Sequence, residues 1–327
     1  YLGHGLTKDE QKQKQKQKQK HKHKRNNVNE RKWRPHIKPG GILTVRLLVD
    51  KRSDPEAVRT FIPLTLQALG LFGGAGARSR RGFGSLSLLS LSVDRELIWQ
   101  APADIGELAE RQRQFLESLR LGFETADQLP DYTAFSSHTK VWIGKTDSQP
   151  LDLLNDIGLE LMRYRSYGME KDGMHVVPGK NHNKVEAEQN FAADHDLVLQ
   201  FCRTGQVEKQ PERLVFGLPH NYSFLSQREH VKVRDNVTIW PESQTGKNEI
   251  GRRASPLFIH IHELRNGKCA AVLTLFPSRF LPENVVLKFS VKNRNEKKPR
   301  RMAPVDYAVI ERFMERPFFS EKVVVWP

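Results

Sequence analysis

Residues 70–85 read GLFGGAGARSRRGFGS, with six glycines and three arginines in sixteen positions, set between two apolar stretches able to form regular structure. Such a run cannot be the interior of a helix or strand, because glycine loses more conformational freedom on ordering than any other residue. It fits a loop that turns through positive φ or approaches other backbone closely, leaving its amides free to face an anion. Arg78, Arg80 and Arg81 add planar, permanently charged forks that suit phosphate oxygens and base faces. The run is not a mononucleotide P-loop: it lacks Gly-Lys-Ser/Thr at the required spacing, and it precedes a predicted strand instead of opening a helix. The expectation is RNA-backbone contact through Gly73, Gly74, Gly76, Arg78, Ser79, Arg80, Arg81, Gly82, Phe83 and Gly84.

The flanks define what the loop connects. Pro39-Gly40-Gly41 is a turn signal leading into Ile42–Val49, whose β-forming residues predict a strand. Ser53 or Asp54 then caps a helix with Pro55 in its first turn and Val58, Phe61, Ile62, Leu66 and Leu69 at helical spacing, with a kink expected at Pro63. After the loop, SLSLLSLSV (85–93) predicts a strand with a bulge about Leu89. Amphipathic helices are predicted over 104–123 and over 149–168, ended by Gly168, with a further helix over 183–201. Strands at 257–264 and 268–277 are joined by Asn266-Gly267, the strongest hairpin signal in the chain, and a last helix covers 304–315. At 327 residues the chain has room for two domains, and mixed helices and hairpins make the fold class α+β.

Charge narrows the partners. The formal net charge is +15, and ten of those charges lie in residues 1–40, where 13 Lys/Arg face 3 Asp/Glu. QKQKQKQKQKHKHKR (11–25) alternates at period two, yet neither face offers anything to bury, so 1–40 reads as a basic, largely disordered arm. Polyanions are the natural partners, nucleic acid first and an anionic membrane surface second; the plainer reading of the 11–25 tract is a solvated insertion that raises solubility, and the functional one an arm that adds salt-sensitive, sequence-blind attraction to phosphates. Cys202 and Cys269 make no disulfide framework or zinc spacing, and no apolar run reaches the length of a membrane span, so a cytoplasmic protein is expected.

Three stretches carry a resemblance: GLFGGAGARSRRGFGSL, FGLPHNYSF (216–224) and RRASPLFIHI (252–261), with YLGHGL and IKPGGILTVRLLV in support. Together they resemble the RAMP superfamily, the repeat-associated proteins of CRISPR systems, and within it the head-subunit branch of type III-B (Cmr) effector complexes. The resemblance implies tandem ferredoxin-like (RRM-like) domains, the first (41–95) entering at its second half and the second (96–327) carrying helical insertions. The family's opening strand and its helix with an arginine- and tryptophan-rich motif have no counterpart here, so the strand at 42–49 would be an unprotected edge. Implied partners are the 3′ end of a guide RNA, target RNA and other RAMP subunits. The implied role is non-catalytic, with no cofactor or metal, and Arg252 and Arg253 of RRASP join the RNA-binding set.

Other residue groups could carry chemistry. His260 and His262 share one strand face at a spacing that can hold a metal, but Glu263 lies on the opposite face, and a half-exposed strand face is the plainer reading. Asp194-His195-Asp196 lies in or beside a helix, where its side chains diverge. Trp33, Trp99, Trp142, Trp240 and Trp326 read mainly as packing residues, and Arg300-Arg301 is a second basic pair. An endoribonuclease using His4, His36 or His138 as base, or a bridge between protein subunits, are the competing functions.

Overall fold

In a computed structural model, residues 38–50, 52–122, 128–177, 185–207, 209–224, 236–243, 252–281, 285–291, 298–301 and 304–327 are described. Helix α1 (Pro55–Phe72) starts where Asp54 accepts the amides of Glu56 and Ala57 at 2.9 and 3.4 Å, and Pro55 follows at a position whose N–H has no helical partner to lose. It buries Leu71 and Phe72 at its far end, so its last turn is anchored just before the glycine loop. Beyond the loop, β1 (Ser90–Val93) and β2 (Glu96–Gln100) make an antiparallel ribbon whose register shifts at Leu91/Ser92, two residues past the expected bulge. Helix α2 (Ile105–Gly122), capped by Asp104, buries Leu108, Phe115 and Leu116 and half-buries Ile105 and Leu119.

The next elements are β3 (Lys140–Asp147), α3 (Pro150–Arg165), the short hairpin β4 (Met169–Lys171) and β5 (Met174–Val176), and α4 (Ala192–Thr204). Then come β6 (His220–Ser223), β7 (Asn236–Ser243), β8 (Leu257–Glu263), β9 (Cys269–Leu275), β10 (Val285–Val291), β11 (Lys298–Arg301), α5 (Ala308–Met314) and β12 (Val323–Trp326). Four strands distant in sequence form one antiparallel sheet in the order β12-β3-β9-β8. Counted along the chain these are fourth, first, third and second, with α3 between the first and second and α5 between the third and fourth. Both helices bury one face of the sheet, where Leu153, Ile157, Leu161, Ile310 and Phe313 meet Ile259, Leu273 and Leu275. Helices α1 and α2 cover the other face over Val141, Ile143, Ala270 and Val272. Burial on both faces explains why β9, buried throughout, is apolar but for Thr274. A second antiparallel sheet, β11-β10-β7-β6, packs its inner face on α4 through Phe201, Ile239 and Phe289. The architecture is α+β.

Three expectations change. Residues 42–49 form no strand: no described segment pairs with them, and Ile42, Leu43 and Leu48 are exposed to 79, 77 and 90 %. β-propensity makes no ladder without a partner. Only Ser90–Val93 of the 85–93 stretch is strand, because Ser85 and Ser87 turn their hydroxyls, not their backbone, to a neighbour. The helix expected over 183–201 begins at Ala192, since Glu186 forms a bridge with Val176 and Gln189 turns at φ 56.

Gly84 and Gly76 separate two costs. Both have positive φ (74 and 93), but a Cβ at Gly84 would meet the Ala75 carbonyl oxygen at 2.0 Å, whereas Gly76 faces open space. In urea unfolding, Gly84→Ala is expected to lose about 3 kcal/mol and Gly76→Ala about 1 kcal/mol. Equal losses would contradict the close approach.

Candidate nucleic-acid interface

Strand β8 is the outer strand of its sheet, and an outer strand leaves every second amide unpaired. The glycine loop supplies the partners. Ile259 donates its amide to the Arg80 carbonyl at 3.1 Å, Ile261 to Ser85 Oγ at 3.0 Å, and Glu263 to Ser87 Oγ at 2.8 Å. Serines two residues apart thus imitate a strand, which is what the alternation of 85–93 encodes. Inside the loop, the amides of Ala75, Arg81 and Gly82 are satisfied by the carbonyls of Gly84, Arg78 and Ser79. Gly82 is buried where a Cβ would lie 2.6 Å from Leu154 Cδ1. The amides of Gly73, Ala75, Arg81 and Gly82 therefore serve the fold, and those positions do not offer a row of free N–H groups.

The three loop arginines occupy three different environments. Arg78 is exposed, at φ 67. Arg80 is a brace: it donates to the Ser255 carbonyl at 2.8 Å and to Thr133 Oγ1 at 3.1 Å, and its guanidinium lies 4.6 Å over the Phe258 ring. Arg81 points inward. Its Nη1 is buried without a partner, and burial pushes its pKa down to about 10. Of the remaining expected residues, Ser79 and Gly74 are half-buried beside exposed Gly76, and Phe83 packs against the core under α3 and α5.

The other two motif stretches come to the same place. Arg253 pairs its backbone with Leu218 in both directions, at 2.7 and 3.1 Å, which ties RRASP to FGLPHNYSF. Its guanidinium lies 5.4 Å over Tyr132, with Nε buried and unpartnered, and Arg252 beside it is exposed. Two further arginines join them. Arg165 lies 4.5 Å over the Phe216 ring and Arg213 lies 4.7 Å over Tyr222, and Arg213 donates to the Arg165 carbonyl at 2.6 Å. Both keep a buried, unpartnered Nε. Burial, then the charges of Arg81 and Arg213, hold the Arg165 pKa well below the usual arginine range. Burial and the charges of Arg213 and Arg165 likewise depress His220, so it stays neutral. Among the described residues, none of Arg81, Arg165, Arg213 and Arg253 forms an ion pair.

Arg165 and Arg213 were not among the expected residues. Arg165 ends helix α3, where a cation reads as compensation for the helix dipole, and Arg213 stands three residues before FGLPHNYSF. Only the folded chain brings either of them to the loop.

The alternatives have structural places. Asp194 is buried and accepts the amides of Glu212 and Arg213 at 2.9 and 2.8 Å, and His195 stacks on Tyr167 with ring centres 3.8 Å apart. Trp99 and Trp142 are buried, and Trp240 is exposed on the outer face of the second sheet. His4, His36, Trp33 and the 11–25 tract lie outside the described residues, as do the side chains of Arg300 and Arg301. Among the described residues no three His, Cys, Asp or Glu side chains are grouped to hold a metal ion.

His260 and His262 do share a face, but that face is wholly buried instead of half-exposed, because α1 and the loop cover it. His260 Nδ1 meets the Gly73 carbonyl at 2.7 Å, and its Nε2 lies 3.2 Å from His262 Nδ1. A carbonyl only accepts, so His260 Nδ1 donates, its Nε2 accepts from His262, and His262 Nε2 is left as a buried lone pair. The pair fastens the loop to the sheet. Burial pushes the two pKa values down to about 4 and about 3.

No protein-family profile matches the chain, and neither curated proteins nor solved structures give a significant match. No described helix is long and apolar enough to cross a membrane.

The histidine pair predicts a pH dependence. An unfolded histidine binds a proton near pH 6.5 and these do not until about pH 4 and below, so the unfolded state holds more protons and stability falls as pH drops through that window. Urea midpoints are expected to show up to about 1.4 kcal/mol lost per pH unit per histidine, with a flatter profile in His260→Gln/His262→Gln. An unchanged profile in that variant would place the acid sensitivity elsewhere.

Proposed function

We propose that this chain is a non-catalytic RNA-binding protein, and that it belongs to the RAMP superfamily. Within that class the reading is the head subunit of a type III-B CRISPR effector complex, holding the 3′ region of the guide RNA and helping to engage target RNA. The observation that carries it is convergence: GLFGGAGARSRRGFGS, FGLPHNYSF and RRASP, far apart in sequence, meet along one sheet edge and bring unpaired arginines there.

The fourth-first-third-second strand order with two crossover helices on one face supports a ferredoxin-like domain, the unit that the resemblance implies. The first, incomplete domain rests on helix α1 and the glycine loop. The exposed apolar segment 42–49 supports assembly with another strand, as expected of a subunit in a larger complex. In this reading, guanidinium groups hold the phosphates of a strand whose bases stay free to pair, so the protein reads shape and charge. Polyanion partners inside a cytoplasm follow from the same reading.

The exposed arginines are the test. Arg78→Ala with Arg252→Ala is expected to weaken binding of a labelled guide RNA about tenfold or more in anisotropy titrations, from charge-assisted contacts of about 1.5–3 kcal/mol each that add incompletely. Deleting residues 8–25 is expected to flatten the salt dependence of the same titration. Unchanged affinity in the double variant removes the loop from RNA contact, and an unchanged salt slope removes the arm.

A further inference from the structure

We propose that Arg81, Arg165 and Arg213 form a socket for a single terminal phosphate, the phosphomonoester at one end of an RNA strand. The proposal rests on the RNA-binding reading for the source of that phosphate, but not for the socket itself.

The three side chains come from separate elements: the glycine loop, the last residue of α3, and the 3-10 turn Glu212–Phe216. Two of the three planes are fixed, and the Arg81 charge acts on Arg165. Arg165 lies on the Phe216 ring, Arg213 lies on the Tyr222 ring, and Arg213 is bonded to the Arg165 carbonyl. Aromatic floors hold the guanidinium groups in place and exclude water beneath them, which strengthens any ion pair formed above. Each arginine keeps one buried nitrogen without a partner, and so does the Tyr222 hydroxyl. A charged donor left unpaired in the interior is costly, and several at one place destabilise the ligand-free fold. Each of the three residues keeps some exposed surface although its unpartnered nitrogen is buried, so the group lies near the protein surface and not at its centre.

Charge selects the ligand. Among the described residues, the carboxylate that meets the group is Asp194, which accepts the Arg213 backbone amide. Three guanidinium charges against one carboxylate leave two positive charges, and His220 adds none because it is held neutral. A phosphodiester within a strand carries one negative charge and needs space for two ester arms. A terminal phosphomonoester carries close to two near neutral pH and enters end-on, with three oxygens for the forks to grip.

The test uses the full chain and RNA of one sequence bearing a 5′-phosphate, a 3′-phosphate or hydroxyls at both ends, with thermal unfolding in inorganic pyrophosphate alongside. One phosphorylated form is expected to bind about tenfold tighter than the hydroxyl form, the size of one charge-assisted contact. Arg165→Met or Arg213→Met is expected to abolish that preference, so that phosphorylated and hydroxyl-ended forms then bind alike. Removing an uncompensated buried charge is also expected to raise the melting temperature of the free protein, whereas loss of a purely structural arginine lowers it. Binding that ignores the end group overturns the socket and leaves the RNA reading intact. Absence of RNA binding, with pyrophosphate still stabilising the native chain and not Arg165→Met, overturns the RNA reading and keeps the socket.

Discussion

The free edge of strand β8 is the constraint on which the rest depends. Its unpaired amides would invite another strand, and the chain answers with a loop that fits against them: one backbone carbonyl, from Arg80, and two serine hydroxyls, from Ser85 and Ser87. That contact fixes where the loop lies, and the loop fixes Arg78 outside, Arg80 across Ser255 and Thr133, and Arg81 within. The histidine pair fastens the same loop from beneath through the Gly73 carbonyl. Glycine is required because the backbone comes close at Gly82 and Gly84, which leaves less of the loop for ligand than composition alone implies.

Local signals were well written in the sequence. Asp54-Pro55 opened α1, Asp104 opened α2, and Asn266-Gly267 turned the hairpin between β8 and β9, because caps and tight turns are decided by a few adjacent residues. Segments whose state depends on a distant partner were less legible. Ile42–Val49 has the composition of a strand and no ladder in the described structure, and the histidine face looked half-exposed because nothing local shows that α1 covers it. The candidate site was half legible. Its glycines and loop arginines stand in one run, but Arg165 and Arg213 reach that run only through folding, Arg80 is a brace within the protein and Arg81 points inward without a partner for its Nη1.

The electrostatics of this region run against stability. Arg81, Arg165 and Arg213 repel one another in a partly desolvated setting, and among the described residues one carboxylate, Asp194, meets the group. Elsewhere the same chain pairs partly buried cations with carboxylates: Arg316 is held by Glu160 and Glu188, and Lys140 by Glu311. The contrast argues that the unpaired arginines are kept for a ligand, since local strain of this kind gathers where a protein binds.

The central claim is that RNA lies along the edge formed by the glycine loop, FGLPHNYSF and RRASP. Photo-crosslinking of the full chain to RNA containing 4-thiouridine, followed by peptide mapping, tests it most directly. Crosslinks concentrated within 74–85, 213–224 and 252–258 are the predicted result. Crosslinks confined to the basic arm, with those three segments unlabelled, would contradict the account.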